Sequence, residues 1–188
     1  MRKIALLAHI SLDGFVAGSE GELDGFDASE ENLEFVCSLT ENADTALMGR
    51  ISYQLLNKYW PDAKDQPKAT HAEIVYSNWY HKARKIVVSK NLQESDKNTE
   101  IIREDILGKI IQLREQSGKD ILIFGSPSLS QLLMQENLID DYRIFVNPSI
   151  FGQGIPLFAR LSNRIKLRLL SSRQFANGEI ALHYITEK

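Results

Sequence analysis

This sequence of 188 residues contains one cysteine, five prolines and no large excess of charge of either sign. Cys37 is the only cysteine, which excludes an internal disulfide and a thiolate zinc cage and favours a reducing cytoplasm. The net charge is −3, from 22 basic and 25 acidic residues, so no global field attracts nucleic acid or an anionic membrane. No apolar run is long enough to span a bilayer. We therefore expect a cytoplasmic protein that binds neither nucleic acid nor membrane.

The apolar runs that are present are short, and each predicts a buried strand. The run from Ile4 to Ala8 has the continuous apolar character of a strand covered on both faces, and it is too short for the apolar part of a signal peptide. Similar runs follow at Thr45–Met48, Arg84–Ser89 and Asp120–Phe124. Segments with helical spacing of apolar residues lie between them.

The C-terminal region has a different pattern. Arg164–Phe175 and Glu179–Ile185 are strand-like, and Asn177-Gly178 between them favours a type I′ hairpin. Strands thus alternate with helices before the chain ends in an antiparallel hairpin. The pattern predicts one three-layer α/β/α domain, residues 1–188, with a mixed, mostly parallel sheet.

Several local features suggest loops and helix starts. Gly14–Gly25 contains four glycines and resembles a mobile flap without regular structure. Asp27 and Glu30 have the spacing of a capping box, and Ser52 is a possible N-cap of the second helix. Trp60–Lys68 is polar, contains two prolines and predicts a surface excursion.

Polar corners follow three of the predicted strands. They are Gly49-Arg50, Ser89-Lys90 and Gly125-Ser126-Pro127-Ser128. Because the carboxyl ends of parallel strands share one edge of an open α/β sheet, these corners can line one crevice. Ligands bind at that edge in such folds.

The corner at Gly125 can receive an anion. Pro127 suits the first position of a helix, and Ser126 can cap it. The N–H groups of that helix end then face an anion, which Gly125 allows to come close. A pyrophosphate group suits such a cradle.

The other two corners carry positive charge. Arg50 and Lys90 can neutralise the phosphates of a dinucleotide, and Ser52 and Ser89 can donate hydrogen bonds to them. Two cations favour the phosphorylated ribose of NADP over NAD. The alternative is that each corner is a turn with a solvated charge; the three corners together favour the binding site.

Asp13 forms a fourth corner after the first strand. Its carboxylate can accept hydrogen bonds from a heterocycle or hold a proton for donation, and an Asx turn with Gly14 is the structural alternative. His9, at the strand end, is interpreted as a packed histidine rather than an acid.

Other aromatic or reactive side chains can be explained by the structure alone. Trp60, Trp79 and Tyr80 could form an aromatic surface for a partner or a flat substrate, but core or edge packing is the favoured interpretation. His71 and His81 lie far from any carboxylate pair in the sequence, and no metal site is predicted. Core packing also accounts for Cys37.

Four stretches of the sequence resemble the dihydrofolate reductase-like family, most closely the branch of the C-terminal reductase domain of bacterial riboflavin biosynthesis proteins. The stretches are SLDGFVAG (Ser11–Gly18), LMGRISYQ (Leu47–Gln54), VVSK (Val87–Lys90) and DILIFGSPSLSQLLMQENLIDDYRIFVNPSIFGQGIPLF (Asp120–Phe158). They occur in the family's order and cover nearly the whole chain.

The resemblance implies an eight-stranded, mostly parallel sheet, NADPH bound across the strand ends, and a homodimer. It assigns phosphate contacts to Gly49, Arg50 and Ser52, and contacts with the adenosine ribose phosphate to Ser89 and Lys90. It assigns the pyrophosphate to Gly125, Ser126, Ser128 and Leu129. Asp13 and the flap would face the nicotinamide and the substrate. The sequence departs from the family at Ser126, where a second glycine is common. It also departs from folate reductases, because the flap has no tryptophan and Asn32, Leu33 and Glu34 stand near the expected pterin-binding acid.

The expected function is therefore NADPH-dependent hydride transfer to a small pterin-like or pyrimidine-like heterocycle, similar to 5-amino-6-(5-phosphoribosylamino)uracil reductase. Asp13 is the predicted catalytic residue. The alternatives are a non-catalytic dimeric nucleotide-binding protein on the same fold and a divergent dihydrofolate reductase.

Overall fold

The structure is a computed structural model that describes residues 1–26, 29–93, 95–159 and 161–187. It contains an eight-stranded mixed sheet, a two-stranded antiparallel sheet and five α-helices within those residues. The predicted α/β class and its mostly parallel sheet are confirmed.

The strands and helices alternate along most of the chain. The strands are β1 (Ile4–Ile10), β2 (Phe15–Ala17), β3 (Ala43–Gly49), β4 (Arg84–Val88), β5 (Thr99–Ile102), β6 (Asp120–Phe124), β7 (Asp141–Val146), β8 (Ile155–Pro156), β9 (Leu167–Gln174) and β10 (Ile180–Thr186). The helices are α1 (Glu30–Thr40), α2 (Arg50–Ala63), α3 (His71–Lys82), α4 (Ile106–Glu115) and α5 (Pro127–Gln135).

The large sheet has the strand order β5-β4-β3-β6-β1-β7-β10-β9. β1 pairs in parallel with β7, and β4 pairs in parallel with both β3 and β5. β10 is antiparallel to β7 and to β9, which is the predicted C-terminal hairpin. β2 and β8 form the small sheet.

The chain divides into two compact units. One consists of Met1–Lys3 with Ala28–Leu122, and the other of Ile4–Asp27 with Ile123–Lys188. A single domain over the whole chain stays a prediction.

In the first unit, Tyr80 is buried and Trp60 and Trp79 are half-buried, so these three side chains do not form an exposed aromatic surface. Tyr80 is completely buried, and the indole of Trp79 donates to the carbonyl oxygen of Ala43 at 2.8 Å. The ring of Trp60 lies 4.3 Å from that of Tyr76. Cys37 is buried as predicted, and burial raises the pKa of its thiol.

In the second unit, the continuous apolar run of β1 produces the predicted buried strand. Ile4, Leu6 and Ala8 are buried, as are the intervening Ala5 and Leu7. Strand residues that are buried on both faces cannot show the alternation of a half-exposed strand. The apolar pattern of the sequence therefore identified β1 correctly.

Two predicted helix starts differ from the structure. Ser29 is the N-cap of α1, where its hydroxyl accepts from the amide of Asn32 at 3.2 Å; Asp27 lies outside the described residues. Ser52 is not the N-cap of α2, because the helix already begins at Arg50 with Gly49 as its N-cap. The extended backbone of Gly49 passes directly into the helix, which leaves Ser52 in the first turn.

The predicted excursion at Trp60–Lys68 is partly wrong. α2 continues to Ala63 with Pro61 inside it. The helix includes Asp62, so only the part beyond Ala63 has turn structure.

Two loops differ from their predictions. The flap contains β2, which pairs with β8. The C-terminal hairpin turn is not of type I′, which requires a positive φ at both central residues. Gly178 has a φ of +86°, but Asn177 is not among the residues with a positive φ.

Among the described residues, no helix combines the length and apolar character needed to cross a bilayer.

Candidate functional site

The predicted corners after β3 and β4 are neighbours in the first unit. Gly49, the last residue of β3, is paired with Val88, the last residue of β4. The parallel register therefore brings Gly49-Arg50 and Ser89-Lys90 to the same end of two adjacent strands. This part of the predicted arrangement is observed.

Arg50 begins α2 and is exposed to solvent. Its guanidinium donates to Oε1 of Gln54 at 2.8 Å, one turn further along the helix. Ser52 is half-buried in the first turn. A cation on the first turn can approach an anion that the helix N–H groups also attract.

The corner after β4 is a tight turn. The Ser89 hydroxyl oxygen accepts from the amides of Asn91 and Leu92 at 3.2 and 3.0 Å, while Lys90 is exposed. Arg103 donates to the carbonyl oxygens of Lys90 at 3.2 Å and Leu92 at 2.9 Å. Arg103 was not predicted, because no local pattern links the end of β5 to this turn.

A groove of about 740 Å³ opens beside these corners in the first unit. Arg50 and Lys58 contribute positive charge to it, and Asn91 and Leu92 belong to its lining. Its volume lies within the range of pockets for small ligands. Lys58 was missed, although it follows Arg50 by eight residues and so lies on the same helix face.

In the second unit, the corner after β6 has an unusual backbone. Gly125 and Ser126 are consecutive residues with left-handed φ values of +56° and +46°. The Gly125 amide donates to the carbonyl oxygen of Leu7 at 2.9 Å, which fixes the corner to β1. A Cβ added at Gly125 would meet no heavy atom within 4 Å, so there is open space over this backbone.

The helix that follows has the predicted N-terminal arrangement. Ser126 is the N-cap residue of α5 and Pro127 occupies its first turn. The Ser126 hydroxyl donates to the carbonyl oxygen of Phe124 at 3.2 Å. Ser128 is exposed and Leu129 is buried. Their amides belong to the first turn, where helix N–H groups have no acceptor within the helix.

Asp13 accepts three hydrogen bonds in the second unit. Ser11 Oγ donates to Oδ1 at 2.6 Å, the Phe151 amide to Oδ1 at 3.1 Å, and the Gly152 amide to Oδ2 at 2.8 Å. These contacts, the Ser11 hydroxyl first, lower the pKa of Asp13. An ionised carboxylate that accepts on both oxygens fastens the loop at Phe151 to the end of β1. Its predicted catalytic role stays a prediction.

The flap touches the same loop. The rings of Phe26 and Phe151 are stacked with centroids 5.2 Å apart. A Cβ at Gly25 would lie 2.5 Å from the Phe151 ring. Gly25 therefore permits the close approach of the flap to Phe151.

The structure brings the predicted residues together within each unit. Gly49, Arg50, Ser52, Ser89 and Lys90 lie at adjacent strand ends of the first unit, and Asp13, Gly125, Ser126, Ser128 and Leu129 lie at those of the second. A single site made of all these residues stays a prediction.

The mostly parallel sheet with its C-terminal antiparallel hairpin, together with the solved structures that it resembles, places the protein in the dihydrofolate reductase-like class of folds. Within that class, the RibD C-terminal domain matches residues 2–181 of the chain. The chain belongs to the RibD C-terminal domain family.

One similar protein is YyaP of Bacillus subtilis strain 168, whose function is uncharacterised. It is 32% identical over 185 residues, which cover 97% of this chain and 94% of YyaP. The sequence likeness therefore extends over both proteins.

Similar solved structures include reductases. A Thermotoga maritima diaminohydroxyphosphoribosylaminopyrimidine deaminase/5-amino-6-(5-phosphoribosylamino)uracil reductase has a TM-score of 0.67 and 17% identity, covering 99% of this chain and 57% of that one. The dihydrofolate reductase of Enterococcus faecalis, complexed with NADP(H), has a TM-score of 0.67 and 12% identity, covering 99% and 97%. At these identities the likeness concerns the fold.

Proposed function

We propose that this protein is an NADPH-dependent reductase that transfers a hydride to a small pterin-like or pyrimidine-like heterocycle, similar to 5-amino-6-(5-phosphoribosylamino)uracil reductase. The family and the reductases among its structural neighbours support an oxidoreductase. The observation that carries the proposal is the pair of left-handed residues, Gly125 and Ser126, directly before α5.

The corner at Gly125 fits a phosphate group of the cofactor. The space over Gly125 would be narrowed by any side chain, and the amides of Ser128 and Leu129 lie at the positive end of the helix dipole. Ser126 adds a hydroxyl at the position where the resemblance implies a second glycine, so one more hydrogen-bonding group stands beside this cradle.

The cations of the first unit fit the adenosine end. Arg50 and Lys90 are exposed and lie at adjacent strand ends, so both can reach a phosphorylated ribose. Ser52 and Ser89 add hydroxyl groups. Two cations give this half of the proposed site a preference for NADPH over NADH.

The residues of the chain bind and orient the reactants. NADPH, when bound, supplies the hydride. Asp13 holds the loop at Phe151 in place through its two amide contacts, and the flap is positioned by the contact of Phe26 with Phe151. These contacts give the flap and the loop a defined position beside the end of β1.

We also propose a homodimer in the cytoplasm. β9 is the edge strand of the large sheet, and Leu169 and Leu170 on it are about half exposed. An exposed edge with apolar side chains favours pairing with a second chain. Light scattering after size-exclusion chromatography tests this point, and a monomer at micromolar concentration contradicts it.

The reductase is tested first by binding and then by turnover. Fluorescence titration should show saturable binding of NADPH that is tighter than that of NADH. The proposal is overturned if neither NADPH nor NADH binds. Oxidation of NADPH is then followed with 5-amino-6-(5-phosphoribosylamino)uracil and dihydrofolate. Binding without turnover of either compound would support the non-catalytic alternative.

A further inference from the structure

The C-terminal hairpin of β9 and β10 has two different faces. Side chains alternate between the faces along each strand, and residues paired on adjacent antiparallel strands share a face. Ile180, Leu182 and Tyr184 of β10 therefore lie on one face, with Leu169 of β9 opposite Tyr184 and Leu167 two residues further along. These five residues form the apolar hairpin face.

Helix α5 covers a part of the large sheet on this side. Tyr142 of β7 is paired with Tyr184, and it lines a groove together with Met134 of α5. Tyr142 is buried, whereas Leu169, two strands further out, is 49% exposed and Ile180 is 40% exposed. Within the described residues of the second unit, α5 is the one helix present. The apolar hairpin face is thus left uncovered.

The groove beside α5 continues the apolar hairpin face. It has a volume of about 550 Å³, and its lining includes Met134, Leu161, Ile165 and Leu167. Leu167 belongs to both the groove and the face, so the two form one surface. Contiguous apolar surfaces that remain exposed mark sites of interaction with other molecules.

The opposite face of the hairpin carries positive charge. Arg168 and Arg173 of β9 are exposed and are paired with Ile185 and Ala181, which lie on that face. A two-fold interface brings the same patch of both chains together, so this face would place like charges against each other. The apolar hairpin face has no charged residue. Of the two faces, it is therefore the one that can pair with a copy of itself.

The outer edge of β9 is poorly suited to strand addition. Its register with β10 shifts between His183 and Tyr184, which leaves Leu170 as an extra residue of a bulge. Arg168 and Arg173 also lie on this strand. Bulges and charged side chains on an edge strand hinder pairing with another strand. The apolar side chains of β9 are thus better placed to meet a second chain through their face.

The make-up of the surface suits a dimer. A specific interface takes about 20 residues from each chain and has an apolar core with a polar rim. The apolar hairpin face and the groove provide the core. The exposed Ser172 and Gln174, on the outer strand of the same face, and Arg164 at the groove provide the rim. Both parts of such an interface are present.

We propose that a second copy of this chain covers the apolar hairpin face, so that the two hairpins pack face to face about a two-fold axis. This inference rests on the homodimer of the proposed function and names the surface through which it forms. Sheets packed in this way lie about 10 Å apart, with the side chains of the two faces between them. Leu169 and Ile180 then lose their contact with water.

The test places a charge on each face. Leu169→Lys and Ile180→Lys alter exposed positions of the apolar hairpin face. Ile180 lies on β10, an inner strand, so its effect cannot come from pairing at the edge. Ser171→Lys is the matched control, because Ser171 is an exposed residue of β9 that is paired with His183 on the opposite face. Thermal unfolding checks that each variant is folded.

Sedimentation at several micromolar concentrations gives the Kd of the dimer. Leu169→Lys and Ile180→Lys should each raise it by about 100-fold, because each brings two like charges into an apolar interface. Ser171→Lys should keep the wild-type Kd. Unchanged dimerisation of both face variants overturns the inference, as does a dimer lost through Ser171→Lys alone, and the proposed homodimer survives either result. A monomeric wild type overturns the inference and the homodimer together.

A second measurement needs no variant. Hydroxyl-radical labelling of the wild type is compared at concentrations above and below the Kd of the dimer. Leu169 and Tyr184 should be labelled less in the dimer, whereas Tyr59, which is 47% exposed in the first unit, should be labelled equally at both concentrations. Equal labelling of Leu169 and Tyr184 in monomer and dimer overturns the inference even if the lysine variants fold poorly.

Discussion

The amide nitrogen of Gly152 lies 2.8 Å from Oδ2 of Asp13, although 139 positions separate the two residues in the chain. With the Phe151 amide on Oδ1, this bond joins the loop after β7 to the end of β1. The shape of that loop therefore depends on the charge of one exposed carboxylate.

Protonation of Asp13 is expected to loosen the loop in acid. Because the folded protein lowers the pKa of Asp13, the contribution of this group to stability is fully present above its ordinary value of 3.8 and is lost as the pH falls through the lower value of the folded state. The variant Asp13→Asn should show a smaller fall of Tm between neutral and acidic pH than the wild type. Thermal scans over that range measure the difference, and parallel curves for the two proteins contradict the assignment.

Removal of either cation of the first unit should weaken NADPH more than NADH. Arg50→Ala and Lys90→Ala each remove a charged hydrogen-bond donor, which corresponds to about 10- to 100-fold in Kd for NADPH. Fluorescence titration of both cofactors gives the ratio. Lys109→Ala on the exposed side of α4 is the control and should change neither Kd. Equal losses for the two cofactors would argue against contacts with the ribose phosphate.

The left-handed pair before α5 predicts opposite effects of two substitutions. Gly125→Ala places a Cβ on a residue with a φ of +56°, which should cost about 1–2 kcal/mol of unfolding free energy. Ser126→Gly relieves a similar cost but removes the bond to Phe124, so it should be stabilising by about 0–1 kcal/mol.

Urea unfolding measures both changes, and NADPH titration should show weaker binding for Gly125→Ala. A Ser126→Gly variant that loses stability would show that the hydroxyl contact outweighs the backbone strain.

The ring contact between Phe26 and Phe151 should limit the motion of the flap. Phe151→Ala removes the stacked ring, so amides of residues 15–26 should exchange faster with deuterium while amides of β7 keep their protection. Hydrogen-exchange mass spectrometry resolves these segments. Phe158→Ala, at a partly exposed ring, is the control. Unchanged exchange in the Phe151 variant would mean that β2 and β8 alone hold the flap.

The buried strands could be predicted from sequence because their apolar residues are continuous. β1, β4 and β6 lie where the short apolar runs predict them. The start of α5 was also predictable, because Gly125, Ser126 and Pro127 each have a distinct backbone preference.

Features that depend on distant partners were not predictable. Ser52 has a side chain that is suited to an N-cap, but α2 already begins at Arg50, directly after β3. The small sheet of β2 and β8 joins residues about 140 positions apart, so the glycines of the flap alone suggested a loop. The contact of His9 with Glu179 could not be predicted either, because 170 positions separate the two residues. The residues at each corner can be identified from the sequence, whereas their distant contact partners are known only once the order of the strands is known.

The guanidinium of Arg103 ties the turn at Lys90 to the end of β5, and β5 is an outer strand of the large sheet. Outer strands fray more readily than inner ones, since only one side is hydrogen-bonded. Warming should therefore release the Lys90 turn well below the melting temperature. Binding of the nucleotide would then be lost at a lower temperature than the fold itself, because it depends on an edge strand rather than on the core of the sheet.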